Sequence, residues 1–128
     1  MIKQIPDKII LIQLMAIGDV LMCTPAIRGL SNKFPDAEIS FLVSDYAYDA
    51  LRYNPHIDNL IIYPRNLSRL GYLKFLLSLR HNKYDLLIDF QNNPRSHIMS
   101  LIIRSLRKIS FKSKRRNFGY IDLISPPL

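Results

Sequence analysis

Short, strongly apolar runs alternate with longer stretches of helical periodicity along most of the chain. The first run, Lys8–Leu14, is interrupted only by Gln13 and is typical of a strand buried on both faces. Four later runs also predict strands, at residues 37–43, 59–63, 84–90 and 108–111. The pattern therefore indicates a sheet whose strands are separated by helical segments.

The intervening segments predict helices at residues 19–34, 45–52, 68–81 and 94–104. Pro25 lies inside the first of them and predicts an irregular or kinked first turn, because proline donates no backbone hydrogen bond. In the third, Ser68 fits the N-cap position and is followed by a leucine stripe consisting of Leu70, Leu73, Leu76 and Leu77. Such a stripe usually packs on a sheet, and we expect it to do so here.

Strands that alternate with helices predict an α/β fold, a Rossmann-like parallel sheet with right-handed crossovers. We expect the strand at residues 8–14 near the centre of this sheet, beside the strand at residues 84–90. Ligands of such sheets bind beyond the carboxyl ends of the strands, near the point where the strand order reverses. The candidate loops are Met15–Asp19 and Gln91–Arg95.

The composition fits one globular domain, since 48% of the 128 residues are hydrophobic and 22% are charged. The net charge of +8 comes chiefly from residues 104–128, which contain one acidic residue and seven basic ones: Arg104, Arg107, Lys108, Lys112, Lys114, Arg115 and Arg116. Such clusters attract phosphate, nucleic acid or anionic lipid, although a solvated tail has the same composition. We divide the chain into a domain of residues 1–111 and a basic tail of residues 112–128.

Several classes of chemistry and location find little support in the sequence. The single cysteine, Cys23, fits a reducing compartment, and no apolar run is long enough to cross a bilayer, so we expect a cytoplasmic protein. The three histidines have no metal-ligand spacing, and the sequence contains no Asp-x-Asp pair or nucleophile elbow. We therefore expect no metal site, no covalent catalysis and no known nucleic-acid-binding module.

The first candidate loop contains one glycine, Gly18, and so lacks the three glycines of a dinucleotide fingerprint. It places Asp19 at a helix start, where free backbone N–H groups favour an ionised carboxylate. Two interpretations are open: Asp19 is an N-cap residue, or it is a general base that takes the proton of an attacking hydroxyl.

The second candidate loop is dense in hydrogen-bonding groups. Asp89 lies near the end of its strand and is followed by Gln91, Asn92, Asn93 and Arg95. Carboxylate and amide groups suit sugar hydroxyls, and a guanidinium group can hold a carboxylate or phosphate. The alternative is a turn whose asparagines cap the next helix while the arginine is solvated.

Four segments occur in the same order as in a known enzyme family and together carry a resemblance to it: 10–28, 34–39, 54–58 and 84–96, which include Ala16-Ile17-Gly18-Asp19-Val20 and Asp85-Leu86-Leu87-Ile88-Asp89-Phe90-Gln91. They resemble glycosyltransferase family 9, which includes the lipopolysaccharide ADP-heptose heptosyltransferases. The resemblance implies the amino-terminal half of a two-domain GT-B enzyme. It also implies inverting transfer of a sugar from ADP-heptose, or a similar nucleotide sugar, to the lipopolysaccharide inner core, without a metal or cofactor.

The resemblance assigns Asp19 the position of the catalytic base. It implies that Asp89, Gln91 and Arg95 line the acceptor side of the cleft. We expect Gly18, Gln13 and Asn92 to contribute to substrate binding as well. The donor nucleotide is held mainly by a carboxyl-terminal domain in this family, so we expect this chain to be inactive alone.

The chain departs from the family pattern at four positions. A basic residue is usual where Gln13 stands, and a small hydroxyl residue where Met15 stands. Glycine is preferred at Asn92 and at Ser110. These departures bear on the identity of the substrate and on activity. The basic tail leaves two alternatives open: a non-catalytic Rossmann-like module that binds a nucleotide or an anionic partner through that tail, and a protein that binds nucleic acid through it. A peripheral contact with an anionic membrane surface is a further expectation from the basic residues.

Overall fold

The computed structural model describes residues 5–14, 17–64, 66–111 and 122–124. The strands are β1 (Lys8–Ile12), β2 (Glu38–Ser44), β3 (Asn59–Tyr63), β4 (Lys83–Asp89), β5 (Arg104–Phe111) and β6 (Asp122–Ile124). The helices are α1 (Ile17–Met22), α2 (Thr24–Lys33), α3 (Arg69–Ser78) and α4 (Pro94–Ile102), with a 3₁₀ helix at Asp45–Ala50. None of the helices in this described part is long and apolar enough to cross a membrane.

The six strands form one sheet in the order β3-β2-β1-β4-β5-β6, and every neighbouring pair is parallel. The prediction that the first strand lies near the centre beside the strand at residues 84–90 is confirmed, since Ile12 of β1 pairs with Asp89 of β4. The chain runs outward from β1 to β3 and then returns to β4 on the other side of β1. The strand order therefore reverses between β1 and β4, whose carboxyl ends are followed by the two candidate loops.

Alternate residues of β1 enter two separate cores, because successive side chains of a strand point to opposite faces. Ile9 and Leu11 pack under α1, α2 and the 3₁₀ helix, together with Phe41. Ile10 and Ile12 pack on the other face under α3 and α4, and all four of these β1 residues are fully buried. Helices on both faces thus explain the continuous apolar run of the first strand.

The predicted helix at residues 19–34 is two helices that meet at Cys23. The amide of Cys23 closes α1 on the carbonyl of Val20, at 3.1 Å, and its own carbonyl begins α2 by accepting from Ile27, at 3.0 Å. Pro25 lies in the first turn of α2, where no backbone donor is needed. The irregularity expected at Pro25 is therefore an interruption of the helix at Cys23, two residues before the proline.

The prediction that all four leucines of α3 pack on the sheet is wrong for three of them. Leu70, Leu73 and Leu77 are 63%, 51% and 55% exposed. The opposite side of the helix packs on the sheet instead, through Tyr72, Phe75 and Leu76. Both sides of α3 are apolar, and the aromatic side offers more area to bury against the core. Ser68 caps the helix as predicted, its hydroxyl accepting from the amide of Gly71 at 3.1 Å.

The carboxyl-terminal part of the sheet differs from the prediction in extent. Strand β5 begins at Arg104, four positions before the predicted start at Lys108, and α4 ends at Ile102. Residues 122–124 of the predicted tail form β6, which pairs with β5 in parallel. The cluster Lys112, Lys114, Arg115 and Arg116 lies outside the described residues.

Candidate functional site

Gln91 joins the segments that follow β1 and β4. Its side-chain carbonyl accepts from the amide nitrogen Nε2 of Gln13 at 2.8 Å and from the backbone N–H of Leu14 at 3.0 Å. The backbone of Phe90 also donates to the carbonyl of Ile12 at 2.9 Å. The structure therefore brings together Gln13 and Gln91, two of the predicted site residues. Gln13 is only 5% exposed, and its amide is directed at Gln91.

Asp89 shapes the loop that follows β4. Its carboxylate oxygen Oδ1 accepts from the backbone N–H groups of Gln91 and Asn92, at 3.0 and 2.9 Å, and the hydroxyl of Ser100 lies 3.4 Å from Oδ2. The residue is fully buried. A buried acceptor that receives two backbone N–H bonds satisfies groups that would otherwise be costly to leave unpaired, so Asp89 stabilises the turn. In this arrangement the Asp89 carboxylate is a hydrogen-bond acceptor for the loop backbone.

The next two residues complete the turn and start α4. Asn92 has φ of 46°, in the left-handed region that asparagine tolerates better than most residues. The Asn93 side chain accepts from the backbone of Ser96, and the Ser96 hydroxyl accepts from the backbone of Asn93, both at 2.9 Å. This reciprocal capping box fixes the start of α4. The capping interpretation of this loop is therefore confirmed for Asn93.

Arg95 follows in the first turn of α4, is exposed and lines a cavity of about 460 Å³. The cavity lies beyond the carboxyl end of β3, and its lining residues are Tyr63, Pro64, Asn66, Leu67, Ser68, Arg69, Tyr72 and Arg95. Burial and a hydrogen bond with Tyr72 raise the pKa of Tyr63 to about 12, while the charge of Arg95 opposes that rise. Tyr63 is therefore a neutral hydrogen-bonding group on the cavity wall near the charge of Arg95. Arg69 and Tyr63 carry no signal in the sequence that links them to Arg95, because only the fold brings the end of β3 and the start of α3 beside α4.

Asp19 lies in the first turn of α1, which begins at Ile17, two positions before the predicted start, so the interpretation of Asp19 as an N-cap residue is wrong. Asp19 and Gly18 are both exposed. Its backbone carbonyl accepts from the thiol of Cys23 at 3.4 Å. Burial, and secondarily the charge of Asp19, raise the pKa of the Cys23 thiol to about 11. Asp19 thus presents its charge near the start of α1. That its carboxylate faces a cleft shared with Asn92 and Arg95 stays a prediction. Within the described ranges, no group of three or more His, Cys, Asp or Glu residues could hold a metal ion.

Comparison with solved structures defines the class of fold. The glycosyl transferase family 9 structure from Veillonella parvula superposes with a TM-score of 0.79 and 22% identity, covering 91% of this chain. Escherichia coli heptosyltransferase WaaC with ADP-2-deoxy-2-fluoro heptose superposes with a TM-score of 0.82 and 15% identity, covering 94% of this chain. The chain therefore has the Rossmann-like α/β fold that is present in part of these two structures.

The sequence is similar to those of lipopolysaccharide heptosyltransferases. The chain is 28% identical over 114 residues to the lipopolysaccharide core heptosyltransferase OpsX of Haemophilus influenzae, which covers 89% of this chain. The predicted resemblance to the heptosyltransferases of glycosyltransferase family 9 is thereby confirmed over most of the chain. No protein-family model matches the sequence. The chain spans 33% of the length of the Haemophilus relative and 43% of the solved WaaC chain.

Proposed function

We propose that this chain is the acceptor-binding half of a heptosyltransferase that transfers a sugar from ADP-heptose, or a similar nucleotide sugar, to the lipopolysaccharide inner core. One observation carries the proposal. A chain similar to lipopolysaccharide heptosyltransferases places Arg69 and Arg95 on one cavity beyond the carboxyl end of β3. Guanidinium groups bind carboxylates and phosphates, the anionic groups of a lipopolysaccharide core.

The proposed roles follow from exposure. Asp19 is exposed and accepts the proton of the attacking hydroxyl, while Gly18 allows close approach to its backbone. Arg95 binds an anionic group of the acceptor. The buried residues Asp89 and Gln13 act as positioning residues, because their side chains hold the two loops rather than facing solvent. Gln91 and Asn92 are half-buried and follow Asp89 in the same loop, and we assign them hydrogen bonds to acceptor hydroxyls.

The reaction requires both halves of the enzyme. An acceptor hydroxyl attacks the anomeric carbon of the donor sugar, its proton passes to Asp19, and the bond from that carbon to the nucleotide phosphate breaks. A single displacement of this kind inverts the anomeric configuration. The nucleotide leaves as an anion whose charge must be stabilised opposite the base, and the family places that function in the carboxyl-terminal domain. No step of this scheme uses a metal or another cofactor.

The same proposal places the protein in the cytoplasm, with reversible contact to the inner face of the membrane. The acceptor is an anionic lipid, and the basic tail of residues 112–128 carries Lys112, Lys114, Arg115 and Arg116. Each cation close to an anionic surface contributes on the order of 1 kcal/mol to such binding. Weak docking of this kind keeps the enzyme near its lipid acceptor.

We expect no measurable transfer by the 128-residue chain alone, because a reaction between two substrates needs both of them held in one geometry. The measurement is release of ADP from ADP-heptose in the presence of lipopolysaccharide core acceptor. A complete heptosyltransferase such as WaaC, assayed in parallel, shows that donor and acceptor are competent. Sustained turnover by the isolated chain would contradict the proposal that acceptor and donor are bound by different halves of the enzyme.

A further inference from the structure

The outer surface of α3 and α4 carries exposed aliphatic side chains that the fold leaves uncovered. Leu70, Leu73 and Leu77 follow one another at helical spacing and form a stripe about 10 Å long on α3. On α4, Ile98 and Leu101 are 43% and 41% exposed. We call these five residues the α3–α4 face. Contiguous exposed apolar surface of this kind marks an interaction site.

The two helices lie side by side on the same face of the sheet. Their inner residues share one core, and the guanidinium of Arg80, just after α3, donates to the carbonyl of Ile102 at the end of α4, at 2.9 Å. Both helices run back from the carboxyl edge of the sheet, so their aliphatic residues point to the same side of the molecule. The α3–α4 face is therefore one surface.

Basic residues surround this surface and acidic residues are absent from its segments. Residues 66–84 contain four basic residues and no acidic one, and residues 90–104 contain two basic residues and no acidic one. Seven of the ten acidic residues of the chain precede residue 59, in segments that lead to the opposite helical layer. The exposed cations next to the aliphatic residues are Arg69, Lys74, Arg80, Arg95 and Arg104.

We propose that the α3–α4 face docks the protein on an anionic membrane surface. The aliphatic side chains enter the boundary between head groups and acyl chains, and the surrounding cations contact anionic head groups. Long basic side chains can extend from a buried stem to the head-group level, which suits Arg69 and Lys74 beside the leucine stripe. This surface is distinct from the basic tail, and binding to it does not require sugar transfer.

Two other occupants fit the surface less well. A second copy bound through the same face would form a self-complementary interface. Such an interface is disfavoured because it would place the basic residues of one copy next to those of the other. A nucleic acid would neutralise the cations but would leave five aliphatic residues against a charged backbone. An anionic bilayer supplies both an apolar layer and negative charge.

The position of the face gives docking a consequence for the proposed function. Leu67 and Arg69 line the cavity at the start of α3, and Arg95 lines it at the start of α4. The cavity thus opens at one end of the α3–α4 face. A protein docked in this way holds the cavity next to the head groups, where a lipid-linked acceptor is presented. This consequence rests on the proposed function, whereas the docking itself does not.

The test is flotation of the 128-residue chain with vesicles of phosphatidylcholine alone and of phosphatidylcholine with phosphatidylglycerol. We expect binding to the anionic vesicles only. The double variant Leu73→Gln/Leu77→Gln should lower the partition coefficient at least about tenfold, since two leucines lose their transfer into the interface. Leu21→Gln is the matched control, because Leu21 is 47% exposed on α1, on the opposite face. It should bind like the parent chain.

A second measurement locates the contact directly. The chain has no tryptophan, so Leu73→Trp and Leu21→Trp each introduce a single fluorescent reporter. We expect a blue shift with anionic vesicles, and quenching by brominated lipid, for position 73 only. Binding that is equal for both lipid compositions, absent from both, or lost only in the tail variant with Gln at 112, 114, 115 and 116 would overturn the proposal. A concentration-dependent dimer that Leu73→Gln/Leu77→Gln abolishes would assign the face to a second copy instead.

Discussion

Asp19→Asn should lower the rate of sugar transfer at least about a hundredfold, the usual cost of removing a general base. The amide of asparagine keeps the shape of the side chain but accepts no proton from the attacking hydroxyl. The variant is measured in a fusion of residues 1–111 to the donor-binding half of a heptosyltransferase relative, as kcat for ADP release at saturating donor and acceptor. The acceptor KM should change little, because the effect is confined to the transition state.

Asp36→Asn is the matched control for this measurement. Asp36 is also exposed, but it lies before β2, at the amino-terminal edge of the sheet and away from the candidate loops. Its replacement should leave kcat within a factor of about two, since surface substitutions away from the site have small effects. An Asp19→Asn fusion as active as the Asp36→Asn fusion would remove Asp19 from the mechanism.

Asp89→Ala should reduce the free energy of unfolding by about 3 kcal/mol, the second large effect that we expect. The substitution leaves the backbone N–H groups of Gln91 and Asn92 without their buried acceptor, and each such group costs about 1–3 kcal/mol. It also loosens the turn that carries Gln91 to Gln13. The measurement is urea unfolding of the 128-residue chain, followed by circular dichroism.

Asp85 offers a matched comparison on the same strand. Its carboxylate oxygen Oδ2 also accepts from two backbone N–H groups, those of Asp7 and Lys8, at 2.8 and 3.0 Å. Asp85 is only half-buried, and water can replace its bonds, so Asp85→Ala should cost about 1 kcal/mol. Equal losses for the two variants would show that burial does not give Asp89 its role in the loop.

The pattern of apolar runs was sufficient to predict the parallel sheet and the central position of β1 beside β4. A continuous apolar run such as Ile9–Ile12 is stable as a strand when both of its faces are buried. Because helices separate the strands along the chain, the strands are expected to be parallel. The reversal between β1 and β4 follows from that topology. The resemblance to a family added the expected roles of individual residues, which spacing alone left open.

The direction of side chains at the strand ends could not be predicted in the same way. In the sequence, Asp89 and Gln13 have the side chains expected of ligand-binding residues. In the structure, Asp89 instead accepts hydrogen bonds from the loop backbone, and Gln13 donates to Gln91. Both positions follow from the pairing of Ile12 with Asp89. The exposed leucines of α3 were missed because two apolar sides competed for one sheet, and only the packed structure decides between them.

Two departures from the family pattern have a structural explanation. Asn92 replaces a preferred glycine at φ of 46°, where asparagine is among the best substitutes. Ser110 replaces another, and its buried hydroxyl donates to the carbonyl of Asp89 at 3.1 Å. These substitutions preserve the turn and the neighbouring strand. At position 13, where the family pattern has a basic residue, this chain has a glutamine whose side-chain amide donates a hydrogen bond to Gln91.

The central claim, that residues 1–111 bind the acceptor rather than the donor, is tested most directly by titrating the ¹⁵N-labelled chain in solution. Backbone amide shifts are followed during addition of lipopolysaccharide inner-core oligosaccharide and, separately, of ADP-heptose. The account predicts saturable shifts with the oligosaccharide at Gln91, Asn92, Arg95 and Arg69, and no comparable shifts with ADP-heptose. Saturable binding of ADP-heptose at these residues, with none of the oligosaccharide, would contradict the account and favour a nucleotide-binding module.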